Sequence, residues 1–348
     1  MALTLRSRIW VTAALLAFCI GGSTSCDHAG KASQQVKAPE PELVAAPRRA
    51  GYDAVVAFLP NTKETRQMWA SFQQELSADF DVIPCVVHRN SDVAAIAECI
   101  EREKPRGVVL VNNPTVRLYQ KYQRTLHPDT PALPAVILMS SFLEEFYGQI
   151  PNATGIAYEV PLITSVVNLR TFLTRDIRRV GVLSRPAFSG YIARQQKLAA
   201  MEDVSIVEIP LDEHPTEEQI ETSVEVLCRK VKVDALWILN DNVLLNPETI
   251  VRGWMPAIQE CHLPVIVGVG ALVNPEVHFG SFAMLPDHEA LGAQAAELIY
   301  ELAEDDWTVG DRGVDLPLSV TTTVDINQAR EHLGFREDMI GNVDVVVE

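Results

Sequence analysis

Asp53–Pro60 (DAVVAFLP), Asp81–His88 (DVIPCVVH) and Gly107–Val111 (GVVLV) decide the fold. Each is a short run of apolar and β-branched residues without strict alternation, which predicts a strand buried on both faces. The stretches between them have helical character. Asn61–Glu64 opens a helix running to about Leu76, with Thr62 as its N-cap. Asp92–Glu103 sets Val93, Ile96 and Ile100 on one helical face. Asn112-Asn113-Pro114 ends the third strand and leads into a helix to about Thr125. Ala135–Met139 and Gly155–Glu159 (GIAYE) read as the fourth and fifth strands.

The pattern then restarts. Pro161–Leu173 is predicted helical, and Arg179–Ser184 (RVGVLS), Val204–Ile209, Ala235–Leu239 (ALWIL), Pro264–Val267 and Phe279–Met284 are predicted strands. Helices at Gly190–Met201, Thr216–Val231, Pro247–Gln259 and Asp287–Leu302 separate or follow them. A strand near Leu316–Thr321 and a short helix at Asn327–Leu333 complete the chain. Repeated strand–helix–strand units with doubly buried strands imply parallel sheets covered by helices. The restart divides them into two similar, doubly wound α/β lobes. In such sheets a ligand sits outside the carboxyl ends of the strands.

Composition agrees with a globular chain: 348 residues, 47% apolar and 22% charged. A net charge of −17 argues against a nucleic-acid partner, which would need clustered Lys and Arg to neutralise phosphates. Residues 1–25 combine Arg6 and Arg8, an apolar run from Ile9 to Ile20 and the small stretch Gly21–Ser25, the pattern of a secretory signal peptide. Cys26 follows directly and resembles the lipid-accepting Cys of a bacterial lipobox, although Ser23 stands where Leu is usual. Residues 26–50, rich in Pro, Ala and charge, read as a flexible tether behind that lipid anchor. Asp27 after Cys26 resembles an inner-membrane retention signal.

Four cysteines remain in the body: Cys85, Cys99, Cys228 and Cys261. There is no CxxC and no Cys/His pair at zinc spacing, so no metal site is predicted. Export permits disulfides, and Cys85 with Cys99 or Cys228 with Cys261 are available pairs. Each also reads as a small buried apolar residue, and that is the reading taken here. Catalytic signatures are missing. No GxGxxG, P-loop or GxSxG is present, and His288-Glu289 lacks the second His of a zinc-protease helix. No cofactor is implied, and an enzyme is not expected.

What does recur is polar residues after strands. Asn61 follows the first; Asn112, Asn113 and Thr115 the third; Ser140 and Ser141 the fourth. In the second lobe Arg185, Ser189 and Tyr191 follow one strand, and Asn240, Asp241 and Asn242 another. Singly, these are good turn and cap residues. Jointly, at one sheet edge, they predict a polar cleft for a small zwitterion. Hydroxyls and helix N-termini would hold its carboxylate and Asp241 its ammonium. Trp237, Tyr191 and Tyr158 are candidates for an apolar wall, although Trp237 also reads as core.

The series VDALWILNDNVLLNPETIV, LPVIVGVGALV, GSFAMLPDHEALGAQAAELI and LPLSVTTTVDINQAREHLG, with ATGIAYEVPL and RRVGVLSRP upstream, resembles one family over residues 53–334. It looks like the substrate-binding proteins of ABC transporters with the type I periplasmic-binding fold. The similar branch contains tryptophan- and aromatic-amino-acid-binding lipoproteins. The resemblance implies two doubly wound parallel-sheet lobes joined by a three-crossing hinge. Lobe one would comprise 51–159 plus 286–320, and lobe two 160–285 plus 321–348. The crossings would lie near Tyr158–Pro161, Met284–Asp287 and Val320–Thr322. It also implies a small-molecule solute, an ABC permease in the inner membrane and a lipid-anchored extracytoplasmic protein. By position, Asp241 and Asn242 match the family's polar pair, Ser184, Arg185 and Ser189 its first lobe-two loop, and Asn112–Thr115 its lobe-one loop. The sequence departs from the pattern in the bulkier Asn112–Arg117 loop, in Ser141–Ile150 (SFLEEFYGQI) and at Gly268–Gly270. These departures leave the solute open. They keep a second reading alive, a sensor or envelope scaffold with altered or lost solute binding.

Overall fold

The apolar runs become the centres of two sheets. The computed structural model describes residues 42–274 and 276–348; the signal segment, Cys26 and most of the tether lie outside them. The first lobe runs β1 (Ala54–Leu59), α1 (Lys63–Leu76), β2 (Asp81–Val86), α2 (Val93–Glu103), β3 (Gly107–Val111), α3 (Asn113–Gln123), β4 (Ala135–Leu138) and β5 (Ala153–Ile156). The second runs α4 (Leu162–Phe172), β6 (Arg179–Ser184), α5 (Ser189–Ala200), β7 (Ser205–Pro210), α6 (Glu217–Glu225), β8 (Ala235–Ile238), α7 (Pro247–Thr249), α8 (Met255–Cys261), β9 (Val265–Val267) and β10 (Phe282–Pro286). The chain closes with α9 (His288–Glu304), β11 (Val314–Asp315), β12 (Val320–Asp325), α10 (Ile326–Gln328) and β13 (Val345–Val347).

One sheet has the order β11-β5-β4-β3-β1-β2, the other β13-β12-β10-β9-β8-β6-β7. All residues of β1 and β3 are buried, as both faces carry helices. Side chains start the helices: Thr62, the predicted cap, accepts from the Thr65 N–H, and Asp92 accepts from Ala94 and Asn112 from Thr115. α9 leaves the second sheet and packs on the first, its Leu291, Ala295 and Ile299 joining the core of Val55, Ala57 and Leu59. A Cβ on Gly292 would collide with the Met68 carbonyl, so glycine lets α9 lie against α1. The chain passes between sheets three times: from β5 to α4, from β10 to α9, and from β11 to β12.

The structure departs from the expectations in four places. β5 ends at Ile156, so Tyr158 and Glu159 belong to the first crossing and not to a strand. β12 pairs antiparallel with β10, because it enters the second sheet from the end at which β10 leaves it. Arg48 and Arg49, assigned to the tether, both hold Asp81 at the start of β2, with Nε–oxygen distances of 3.0 and 3.1 Å. They keep its carboxyl below the usual range against the opposing effect of burial.

The cysteines are the fourth. All four are paired: Cys85 with Cys99 ties β2 to α2, and Cys228 with Cys261 ties the turn after α6 to the end of α8. Their Cα atoms lie 6.7 and 5.9 Å apart, within bridging range. The reading as unpaired core cysteines is thereby corrected; neighbouring elements bring each pair together. Peptide mapping without reductant should recover both pairs. Reduction should lower stability by roughly 3 kcal/mol per bridge for loops of this length, read as a fall in the urea midpoint.

Candidate functional site

The loops after β1, β3 and β4 face those after β6, β8 and β9 across a cleft. It holds two cavities, about 770 and 520 Å³, which share Asn112 and Met139 in their walls. Asn112, Met139 and Phe142 have φ of 76°, 51° and 57°. For Met and Phe that left-handed backbone is disfavoured, and such residues gather where a site dictates the chain path.

The smaller cavity brings together Asn112, Asn113, Ser141, Arg185, Asp241 and Asn242, six of the eleven residues predicted to meet a ligand. The other five turn elsewhere. Asn61, just ahead of α1, accepts from Arg66 of that helix. Thr115 is buried in the first turn of α3, its N–H donating to Asn112. Ser140 is buried and donates to the Asn113 Oδ1, joining two lobe-one loops. Ser189 donates to the Pro186 carbonyl. Tyr191 is buried in the lobe-two core beside Trp237.

Asp241, predicted to meet a ligand's ammonium, is paired within the protein. Its carboxylate takes a two-pronged bond from Arg185, Nε to Oδ2 at 2.6 Å and Nη2 to Oδ1 at 2.8 Å, and accepts the Val243 N–H. Arg185 also meets Glu213 and lies over the Phe188 ring. A guanidinium on the neighbouring loop thus already neutralises this cleft acid.

Phe142, which the sequence reading did not single out, crosses the cleft. Its neighbour Leu143 packs in the lobe-one core, while the Phe142 ring packs in the lobe-two core. The ring centroid lies 4.4 Å from that of Phe188 and 5.1 Å from that of Tyr191. Glu144 and Glu145 on the same loop both reach Arg194 of α5. The Phe142 N–H donates to Glu159 Oε2 at 2.8 Å.

Glu159 sits on the first crossing. Burial raises its carboxyl from 4.5 to about 7, against the Phe142 N–H, its own N–H and the nearby Asn240 and Ser141 side chains. Its Oε1 is buried without a hydrogen bond, as is Asn240 Oδ1. The signal for Glu159 in the sequence was an acid following GIAY at the point where the strand pattern restarts. In the larger cavity Tyr158 Oη lies 3.0 Å from His288 Nε2, and burial holds His288 below its ordinary 6.5. Among the described residues no group of three or more His, Cys, Asp or Glu is placed to hold a metal, and no helix is long and apolar enough to cross a membrane.

No protein-family model and no curated protein matches the chain. Solved structures do. A ligand-free, open substrate-binding protein with adhesive properties from Clostridium difficile superposes with a TM-score of 0.61 at 16% identity, covering 85% of this chain and 99% of that one. A conserved domain protein from Vibrio cholerae gives 0.54 at 15% identity, over 85% and 99%. An ABC domain from Streptococcus pneumonia, in complex with L-Trp, gives 0.51 at 16% identity, over 85% and 100%. At these identities the likeness establishes the fold, the two-lobed type I periplasmic-binding fold.

Two predictions follow from these contacts. Glu159 binds its proton more tightly folded than unfolded, so its contribution is fully present below about pH 4.5 and lost as pH rises through 7. Wild type should lose up to roughly 3 kcal/mol relative to Glu159→Gln between pH 5 and 8, at ~1.4 kcal/mol per unit. His288 pulls the opposite way below 6.5 in both proteins, so the difference in urea unfolding between them is the readout. Separately, Asp241→Ala should destabilise by roughly 3 kcal/mol, because it leaves the half-buried Arg185 with only the exposed Glu213 as a partner. Arg185→Met combined with Asp241→Leu should recover most of that loss.

Proposed function

We propose that this protein is an extracytoplasmic solute-binding protein that captures a small polar solute, an amino acid being one such, and passes it to an ABC importer in the inner membrane. The carrying observation is the pair of sheet edges that face each other across one cleft, with three crossings beside it. A solute that touches both edges binds the closed arrangement more tightly than the open one and shifts the population toward it. The permease then meets a protein whose shape reports its load. The signal segment and Cys26 fit an exported protein with a lipid anchor, and the two disulfides fit an oxidising compartment.

A second reading, a sensor or envelope scaffold, draws on one observation. The Phe142 ring already fills lobe-two space at the cleft. Closure held by the protein's own side chain would serve a partner that recognises the closed shape.

Residues 27–348, refolded from denaturant, should be screened by thermal shift against amino acids, small peptides, purines and sugars. A true solute at 100 times its dissociation constant stabilises by about 2.7 kcal/mol, which is about 5 °C at this size. The effect should weaken in Asn242→Ala, whose side chain is exposed at the cleft wall. A well-folded protein with no response, in wild type and in Phe142→Ala alike, overturns solute capture and leaves the scaffold reading.

A further inference from the structure

Between the two cleft cavities lies a small chamber of about 20 Å³, room for a single water-sized group. It adjoins both cavities: Tyr158 and Gly268 line it together with the larger, Phe142 and Asn240 together with the smaller. Two buried acceptors in its wall have no partner, Glu159 Oε1 and Asn240 Oδ1. Asn240 directs its amide N–H to the Gly268 carbonyl at 3.4 Å, which leaves the oxygen for the chamber. No Lys or Arg is in the lining; Arg185 is engaged by Asp241 and Arg194 by Glu144 and Glu145. The remaining wall combines the rings of Phe142, Tyr158, Tyr191 and Trp237 with aliphatic side chains such as Leu239 and Met284.

Two unpaired acceptors, one of them an acid, call for a donor with positive charge. Aromatic faces favour the same charge and an apolar body behind it. We propose that this chamber seats a protonated amine, with Glu159 and Asn240 holding the ammonium of a solute whose apolar body takes the place of the Phe142 ring. The proposal rests on the solute-binding reading and assigns the class of solute. It moves the ammonium site from Asp241 to Glu159. Entry of the body and withdrawal of Phe142 are then one event, since both need the recess beside Phe188 and Tyr191.

The groups facing Glu159 leave its titration readable. Tyr158 and Tyr191 are both held neutral by burial; Ser141 and Asn240 are uncharged; Glu144, Arg194 and Lys197 lie in a separate cavity that Glu159 and Phe142 also line. Alkylamines stay protonated across the range in which this carboxyl ionises.

The test is calorimetric titration of residues 27–348 with phenethylamine and tryptamine, alongside 2-phenylethanol and phenylacetate, from pH 6 to 8. Both amines should bind, and the alcohol and the acid should not. Amine affinity should rise with pH and level off above about 7. Glu159→Gln keeps an acceptor for the Phe142 N–H and should lose roughly 30-fold in amine affinity, the measure of one charge-assisted hydrogen bond. Asn240→Ala should lose about 5-fold for a neutral acceptor. Phe142→Ala should bind the amines more tightly than wild type. Equal affinity in wild type and Glu159→Gln overturns the proposal, the chamber then holding an ordered water only. So does a solute from the broad screen that binds both proteins alike, in which case solute capture stands and only the amine site falls. Absence of amine binding in wild type and Phe142→Ala overturns it as well, and if the broad screen is also empty, solute capture falls with it.

Discussion

A parallel strand must hand the chain to a crossover before its neighbour can begin, and this one constraint organises the molecule. In both sheets it sends the ends of successive strands to the same edge. Helices begin there, so their unpaired N–H groups and the Asn, Thr and Asp that cap them collect there too. The core strands have no room for such groups; β1 and β3 are buried throughout. Polarity is therefore driven to the one edge that faces the other lobe. The crossings complete the arrangement, because α9 carries its apolar face from the second sheet to the first and binds the lobes into one unit.

The same constraint explains what the sequence could reveal. β1, β3 and β6 stand out because an apolar run between punctuating residues can be little else. β12 was placed less well: a strand was predicted near Leu316–Thr321, but VTTTVD, with three Thr between two Val, forms it at Val320–Asp325 and pairs on both sides inside a sheet. Caps were legible for a related reason. Thr62, the one cap predicted, acts through a bond three residues away, which a sequence displays directly; Asp92 and Asn112 cap in the same way.

Direction and distant pairing were not legible. Ser140 and Ser141 are adjacent, but one is buried against Asn113 and the other lines the cleft. Nothing local separates them, since the turn after β4 sets which way each points. Arg185 and Asp241 are 56 residues apart, and only the adjacency of β6 and β8 brings them together. The cysteines illustrate the same limit. Sequence offered both pairs, and the choice between thiol and disulfide rested on whether β2 meets α2, and α6 meets α8, at the right height.

Phe142 and Glu159 set the strength of the contact that spans the cleft, which acts as a latch between the lobes. Burying a Phe ring contributes about 1.5–3 kcal/mol, and its aromatic neighbours about 0.5–1.5 more. The exposed Arg194 pairs add at most about 1. Against this stand the left-handed backbone at Phe142, about 1–2 kcal/mol, and a buried acid whose Oε1 lacks a partner, about 1–3. The sum is a few kcal/mol at most. On the proposed function, a solute of micromolar affinity would bring about 8, enough to displace the ring and still close the lobes. A latch built wholly from core packing would be too strong to yield, and a wholly solvated one would not hold. The loop from Ser141 to Ile150 combines one buried ring with exposed charges and a strained backbone, which keeps its strength within the range that ligand binding commands.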